Sequence, residues 1–472
     1  MVIESILRNN SKKIALCEKD RQITYEQMNK QIDAIANWLK SELFDGCSNI
    51  AVCLNSGIDY FLTAIASIKI GCSVILMYEK IQSNSVESLM EKLDNLLVVT
   101  DEKHLYLFNS NSKIKPLIFN QNVIVEKTDS LKLIEDGSFI FMTSGTTGGK
   151  PKFARLPIDF IDLKLQVIDY NIKLNEEDVN LLVTPLCFIQ SLWVTLLHLY
   201  KKCTVVFNSF SVNDTASILK GNKITTFSST PSIIRGLMPH LEKYDLRLLI
   251  VGGDYIDSQT ITQLAEVFPN TLYTNVYGCT ETSAADIILN PIKIFEKRNE
   301  LYSIGKPTNI SSIKILAGNR EAGIGQEGEI LIKSPCVIES YIGESSKILD
   351  NEGYFHTGDI AYRDNNGFIF YKGREKDIIV YNGIKISPVE IESFILKSGY
   401  AKEAVVVGKK HGIYGQVIKT VIVPADNSVT KEKINDFLKG YLESYKIPRE
   451  VEFVESISKT QSGKVKRFEY RD

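Results

Sequence analysis

The sequence predicts an α/β protein: a large N-terminal domain with mostly parallel sheets and a small β-barrel-like part, followed by a small α+β C-terminal domain. Three observations carry this. Apolar runs alternate with helical stretches early in the chain, as in NIAVCLN, DYFLTAIASIKIG and SVILMY, and again in TVVFN, VNDTASILKG and ITTFSS. Parallel strands need a crossover between them, and a helix is the usual one. From about Ser303 the texture changes to short runs parted by Gly and Asn turns, namely SSIKILAG, GEILIKS, GFIFYKG and DIIVYNG. That pattern predicts a compact antiparallel unit. The last hundred residues mix helix and strand again, in VEIESFILKSG, AVVVGKK, VIKTVIVP and KEKINDFLKGYLES. The division fits best at GREKD, separating residues 1–375 from 376–472.

Composition narrows the function. The chain has 472 residues, 44% of them hydrophobic, enough for a large core without staples. Lys and Arg number 55 against 57 Asp and Glu, so no net field favours nucleic acid or an anionic membrane. Eight Cys contain no CxxC pair, and five scattered His add no zinc-ligand spacing. The opening MVIESILRNNSKK lacks the basic-then-apolar order of a signal peptide, which predicts a cytoplasmic protein. The uncharged stretch VNLLVTPLCFIQSLWVTLLHLY imitates a membrane span. Its many polar groups and Pro185 instead predict a buried strand followed by a buried helix, with no integral membrane segment.

Two phosphate-loop patterns fail. Gly323-Ile-Gly325-Gln-Glu-Gly328 matches GxGxxG, but the strand-like EILIKS follows where a helix should open. Gly145-Thr-Thr-Gly-Gly-Lys150 is one residue short of a Walker loop, and Pro151 stands where a Ser or Thr should bind magnesium. The strongest signal is FIFMTSGTTGGKPKF at 139–153. An apolar strand runs into hydroxyls, three glycines and two lysines. Glycine allows φ > 0, so successive N–H groups can turn toward one anion, with hydroxyls and ammonium groups beside them.

This loop resembles the phosphate loop of the AMP-forming adenylating enzymes, which include acyl-CoA synthetases, nonribosomal peptide synthetase adenylation domains and firefly luciferase. The family usually has one residue between TTG and PK, whereas this chain has Gly149 and Lys150. Four further motifs follow in the family's order: YGCTET at 277–282, YFHTGD at 354–359, GREKD with NGIKISPVEIE, and KTQSGK at 459–464. The early ITYEQMNKQIDAIANWL is similar to the family's first helix region.

The resemblance implies ATP, Mg²⁺ and a thiol acceptor, either CoA or a carrier-protein phosphopantetheine. It implies that Thr143, Ser144, Gly145, Thr146, Thr147, Gly148 and Lys152 hold the phosphates. Glu281, with Thr147, would bind Mg²⁺. Tyr277 would stack on adenine, Thr280 would contact the α-phosphate, and Asp359 would accept the ribose hydroxyls with Arg374 alongside. Lys464 would bridge the substrate carboxylate and the α-phosphate. The family's C-terminal domain rotates between two half-reactions, with Lys376 at the hinge position and Gly383 where pantetheine passes. Such chemistry needs cations and oriented dipoles around the α-phosphate as pyrophosphate leaves.

The acid site is partly readable. CFIQSLW resembles the FDxSxW segment of amino-acid-activating domains, with Ile189 at the Asp that pairs the α-ammonium. An aliphatic group cannot compensate a buried ammonium, which predicts a small carboxylic acid without an α-amino group. Phe188, Ile189, Gln190, Trp193, Gly252, Gly253, Val276 and Gly278 are the expected lining, apolar enough for an aryl or medium acyl group. Trp193 and Phe188 also fit as plain core.

The reading is an AMP-forming carboxylate ligase that transfers its acyl group to CoA. Loading an acyl or aryl carrier protein in trans is the alternative acceptor. A luciferase-type oxygenase and a degenerate ligase acting as a binding protein are the rivals from other classes. The sequence leaves the oligomeric state open, a homodimer included.

Overall fold

The computed structural model describes the chain except residues 82, 94, 109–113, 124–129, 135, 144–150, 222, 245, 297, 461–463 and 472. Two parallel-rich sheets form the N-terminal body. In the first, the strands Ile114–Ile118, Leu96–Thr100, Asn49–Cys53, Ser73–Leu76 and Ser138–Thr143 are parallel neighbours, and Lys152–Pro157 closes the edge antiparallel. In the second, a parallel run passes through Ile14–Glu18, Thr204–Phe207, Val179–Leu182, Thr226–Ser229, Leu248–Gly252 and Leu272–Tyr277. Short antiparallel strands finish both of its edges.

The first long helix shows how local sequence sets these elements. Tyr25–Glu42 begins at Thr24, whose hydroxyl accepts from Gln27 N while the Gln27 side chain accepts from Thr24 N. Such a reciprocal cap contributes about 1 kcal/mol. Met28, Ile32, Ile35 and Leu39 then recur at helical spacing and are fully buried in the largest core cluster. The uncharged stretch resolves as expected, into the strand Val179–Leu182 and the helix Ile189–Tyr200. Among the described residues no helix is long and apolar enough to cross a membrane.

An antiparallel sheet of five strands follows: Arg320–Glu321, Ser312–Ala317, Gly328–Lys333, Phe355–Arg363 and Ile369–Arg374. One expectation changes here. DIIVYNG does not belong to this unit. Its strand Ile379–Tyr381 turns at Asn382 (φ 47°) and Gly383 (φ 82°) onto Ile384–Ile386, within the C-terminal sheet. Two successive positive φ values at Asn-Gly make the tight hairpin that matches strand twist, so pairing stays local. Conversely, FHTGDIAYR forms a strand of nine residues that apolar patterning does not reveal.

The C-terminal sheet joins that hairpin to the long pair Ala401–His411 and Gly415–Pro424, with Glu450–Phe453 added in parallel. The helices Pro388–Lys397 and Lys431–Lys439 pack their Ile391, Ile395, Ile434 and Leu438 into its separate core cluster.

Candidate active site

The site's segments gather at the carboxyl ends of parallel strands, where open α/β sheets leave their crevices. Thr143 ends Ser138–Thr143, Gly252 ends Leu248–Gly252 and Tyr277 ends Leu272–Tyr277. Thr143 and Lys152 are the last cross-strand pair below the loop between them. Of that loop, Ser144, Gly145, Thr146, Thr147 and Gly148 lie outside the described residues.

Asp359 is the best-defined polar centre. It faces Arg374 as its direct partner on the neighbouring antiparallel strand. Arg374 Nε lies 3.0 Å from Asp359 Oδ1, and Tyr277 Oη donates to Oδ2 at 2.7 Å. Asp359 is 3% exposed, so this pairing happens largely away from water. The Asp359 charge holds the Arg374 guanidinium well above its usual pKa. Burial, then the same carboxylate, raises the Tyr277 phenol, which stays protonated and donating. Tyr371 Oη also donates to Oδ1, at 3.5 Å, so of the carboxylate's roughly four acceptor sites one is left unused and one is held only by this long contact.

Glu281 sits in the 3₁₀ turn Thr280–Thr282, beside Thr280. Its Oε1 accepts from Tyr341 Oη at 2.6 Å, while Oε2 has no hydrogen bond among the described residues. Burial, then the Glu281 charge, pushes the Tyr341 phenol above its ordinary value. No cluster of three His, Cys, Asp or Glu able to hold a metal occurs among the described residues. A lone carboxylate with one free oxygen fits Mg²⁺, which keeps waters and phosphate oxygens as its other ligands. The neighbouring Cys279 thiol is raised well above its usual value, first by burial and then by Glu281, and so is a poor nucleophile.

The turn after Glu281 is backbone-strained. Ser283, Ala284 and Ala285 have φ of 61°, 60° and 52°, three left-handed residues in succession, none of them glycine. Gly278 serves this turn: a Cβ there would stand 2.6 Å from Ala285 N and 2.7 Å from Ala284 C. Its open side therefore faces backbone. At Gly252 a Cβ would lie 2.7 Å from Val276 O and 3.5 Å from Gln190 Nε2, and at Gly253 3.1 Å from Gln190 Oε1. Gln190, Gly252, Gly253 and Val276 thus come together, and Gln190 Nε2 is a buried donor without a partner among the described residues.

The remaining expected lining divides. Trp193 is 2% exposed within the main core cluster, and half-buried Ile189 opens the helix Ile189–Tyr200. Phe188 lines a cavity of about 790 Å³ together with Tyr78, Asn208 and Arg235 from the N-terminal body and Lys459 and Thr460 from the C-terminal part. The Tyr78 and Phe188 rings are tilted with centroids 6.3 Å apart.

Lys464 is exposed, next to the bridge between Lys459 and Val465. Lys376 is exposed in the 3₁₀ turn Glu375–Asp377, where Arg471 Nη2 donates to its carbonyl at 3.0 Å. Gly383 is at the exposed hairpin tip, with nothing within 4 Å of a Cβ built on it. Sequence reasoning missed Tyr341 and Glu344. Glu344 Oε2 takes the Lys152 ammonium at 3.1 Å, and that ammonium lies 4.5 Å from the Tyr341 ring centroid.

Comparison with known proteins gives the family. The family model described as AMP-binding enzyme matches residues 3–342, and that of the AMP-binding enzyme C-terminal domain matches 390–464. The chain is 28% identical over 471 residues to a 2-succinylbenzoate–CoA ligase of Bacillus licheniformis, covering 96% of each chain. It is 26% identical to the ligase of the same name from Lactococcus lactis, covering 95% of each. The fold is that of o-succinylbenzoate CoA synthetase from Bacillus subtilis in complex with its acyl-adenylate, with a TM-score of 0.87 at 24% identity, covering 100% of this chain and 97% of that one. The chain therefore belongs to the AMP-binding enzyme family, as an AMP-forming acid–thiol ligase.

Proposed function

We propose that this ligase activates an aromatic carboxylic acid that carries a second anionic group and no α-ammonium, and that CoA is the acceptor. One observation carries the acid class. The cavity sets the Tyr78 and Phe188 rings among four basic side chains, Lys80, Arg235, Lys402 and Lys459, against two acidic ones, Glu79 and Glu403. Glu403 and Lys459 pair at 2.6 Å and Arg235 pairs with Asp257 at 3.3 Å, which leaves Lys80 and Lys402 against Glu79, a surplus of one cation. Glu79 accepts the Ser56 N–H at 3.4 Å. An aromatic wall with a surplus cation suits an aryl dianion better than a zwitterion. 2-Succinylbenzoate, the acid in the relatives' name, has this chemistry.

In the first half-reaction a carboxylate oxygen attacks the α-phosphorus of ATP and the bond to pyrophosphate breaks. In our reading Tyr277 covers the adenine, and Asp359 accepts the ribose hydroxyls, displacing the long contact from Tyr371. Thr280 donates to the α-phosphate. Lys464 stabilises the charge that develops there once the C-terminal part carries it inward. Lys459 and Thr460, at the base of the same loop, already line the acid-side cavity. Glu281 and Thr147 would hold Mg²⁺, which supplies charge neutralisation at the phosphates. In the second half-reaction rotation at Lys376 replaces this loop with the Gly383 hairpin, and the thiol attacks the acyl carbonyl as AMP leaves. The surplus of exposed backbone at Gly383 leaves room for a narrow pantetheine chain.

The test is carboxylate-dependent ATP–pyrophosphate exchange with 2-succinylbenzoate, benzoate, medium-chain fatty acids and amino acids, followed by addition of CoA. Exchange with 2-succinylbenzoate above benzoate, and its CoA thioester, are expected. Preference for fatty or amino acids would overturn the acid class. Exchange without CoA transfer would move the acceptor to a carrier protein.

A further inference from the structure

Residues 336–344 run between the two halves of the phosphate site and are tied to both. At one end, Ser283 Oγ donates to Cys336 O at 2.9 Å, and Ile338 N donates to the Glu281 carbonyl at 2.9 Å. Midway, Tyr341 Oη reaches Glu281 Oε1. At the far end, Ile342 N donates to Phe153 O at 2.9 Å, next to Lys152. Glu344 then lies between Lys152 at 3.1 Å and Lys92 at 3.7 Å. One segment thus grips the backbone and the side chain of Glu281 and the backbone and side chain beside the phosphate loop.

A glutamate on a short 3₁₀ turn has three side-chain torsions to fix before its carboxylate can be a defined ligand, and ordering them costs entropy at each binding event. A single donor to Oε1, itself held by packing and by the Lys152 ammonium over its ring, removes most of that freedom. It leaves Oε2 without a hydrogen bond among the described residues. Glu344 does the same for Lys152, whose ammonium would otherwise roam on a flexible stem.

We propose that this strap sets the separation between the triphosphate lysine and the metal carboxylate, with Tyr341 as the positioning residue of Glu281 and Glu344 that of Lys152. The inference rests on Glu281 being the Mg²⁺ ligand, and the experiment separates the two ideas. Mn²⁺·ATP affinity is read by electron paramagnetic resonance of free Mn²⁺, and AMP affinity by calorimetry. The proteins are wild type, Tyr341→Phe, Glu344→Gln, Glu281→Ala and the double variant Tyr341→Phe/Glu281→Ala. Tyr341→Phe keeps the ring and loses only the donor. It is expected to weaken Mn²⁺·ATP about tenfold, the scale of one hydrogen bond to a charged group, with AMP affinity and Tm unchanged. In the Glu281→Ala background the same change should cost less than twofold, because no carboxylate remains to be positioned. Glu344→Gln should weaken Mn²⁺·ATP three- to tenfold and leave AMP alone.

An equal tenfold loss in both backgrounds, or an equal loss for AMP, would overturn the role of Tyr341. Tighter ATP binding by Glu344→Gln would make Glu344 a competitor of the phosphates and overturn its role. Unchanged Mn²⁺·ATP affinity in Glu281→Ala would overturn the metal assignment, and the strap's purpose with it.

Discussion

Replacing Lys164 with Met should destabilise the protein and loosen the Thr280–Glu281 turn together. Lys164, on the helix Ile158–Ile172, places its ammonium 2.6 Å from Asp286 Oδ1, and the two side chains are 2% and 0% exposed. Asp286 also accepts from Ser311 Oγ at 2.8 Å and from Thr282 Oγ1. Without Lys164 a buried carboxylate keeps only hydroxyl donors, which costs about 3–5 kcal/mol. With about 2 cal/mol/K of unfolding entropy per residue over the N-terminal part, that is a Tm lower by about 4–6 °C. Asp286 anchors the end of the left-handed run Ser283–Ala285, and its N–H bonds back to Tyr277 O at 2.9 Å. Each left-handed residue costs about 1 kcal/mol, so the turn persists only while its anchors outweigh the strain. Pyrophosphate exchange should therefore fall more steeply than AMP binding. The double variant Lys164→Met/Asp286→Asn removes the stranded charge and should regain at least half of the lost Tm. Thermal unfolding followed by fluorescence, beside the exchange assay, reads both. A Tm within 1 °C of wild type for Lys164→Met, or a double variant no more stable than the single, would refute the reasoning.

Lys464→Ala should slow adenylation by about 10²–10³, the scale of one preorganised charge-stabilising donor, while transfer from preformed acyl-adenylate is nearly spared; equal loss in both half-reactions would defeat the two-geometry reading. Ile189→Asp should abolish activity on the native acid with Tm unchanged, because an acidic side chain at a helix start is tolerated by the dipole; an active variant would remove residue 189 from the pocket. Asp359→Asn should weaken ATP and AMP alike by about ten- to a hundredfold, measured by calorimetry, since it halves the acceptor capacity and leaves Arg374 unmatched. His198 is fully buried between Val194 O and Thr226 Oγ1, and burial lowers its pKa from 6.5 to about 4. The unfolded chain binds that proton first, so its contribution is complete above pH 6.5 and falls away toward pH 4. The loss is about 3 kcal/mol, and His198→Gln should flatten the acid limb of a Tm-against-pH curve.

The sequence was legible where one element or one loop must do its own work. Alternating runs gave the parallel strands because each buried strand needs continuous apolar residues and each crossover a helix. Asp359 was legible as a motif residue but not as part of a strand, since FHTGDIAYR buries only Asp359 and Ala361 fully and carries polar groups between them. Its pairing with Tyr277 and Arg374 follows from a cross-strand register and a sheet end, which no local pattern encodes. DIIVYNG was read into the wrong sheet for the converse reason. Its hydrophobic pattern says strand, and only the Asn-Gly turn says which neighbour it takes.

What escaped is polar and long-range. Lys164 and Asp286 are 122 residues apart, Glu281 and Tyr341 60 apart, and Lys152 and Glu344 192 apart. A charged residue in a sequence reads as solvated unless a partner is known, and a partner at such a distance is supplied by topology alone. The two kinds of residue also answer to different demands. In the proposed reading Asp359, Glu281 and Lys464 meet ATP, a ligand of fixed shape, so they can be found by motif. Tyr341, Glu344, Lys164 and Asp286 meet only other residues of this chain. They need only hold the first set at the right separation, as Glu344 holds Lys152. The motif residues therefore identify the reaction, while the residues that hold them determine how well this chain performs it.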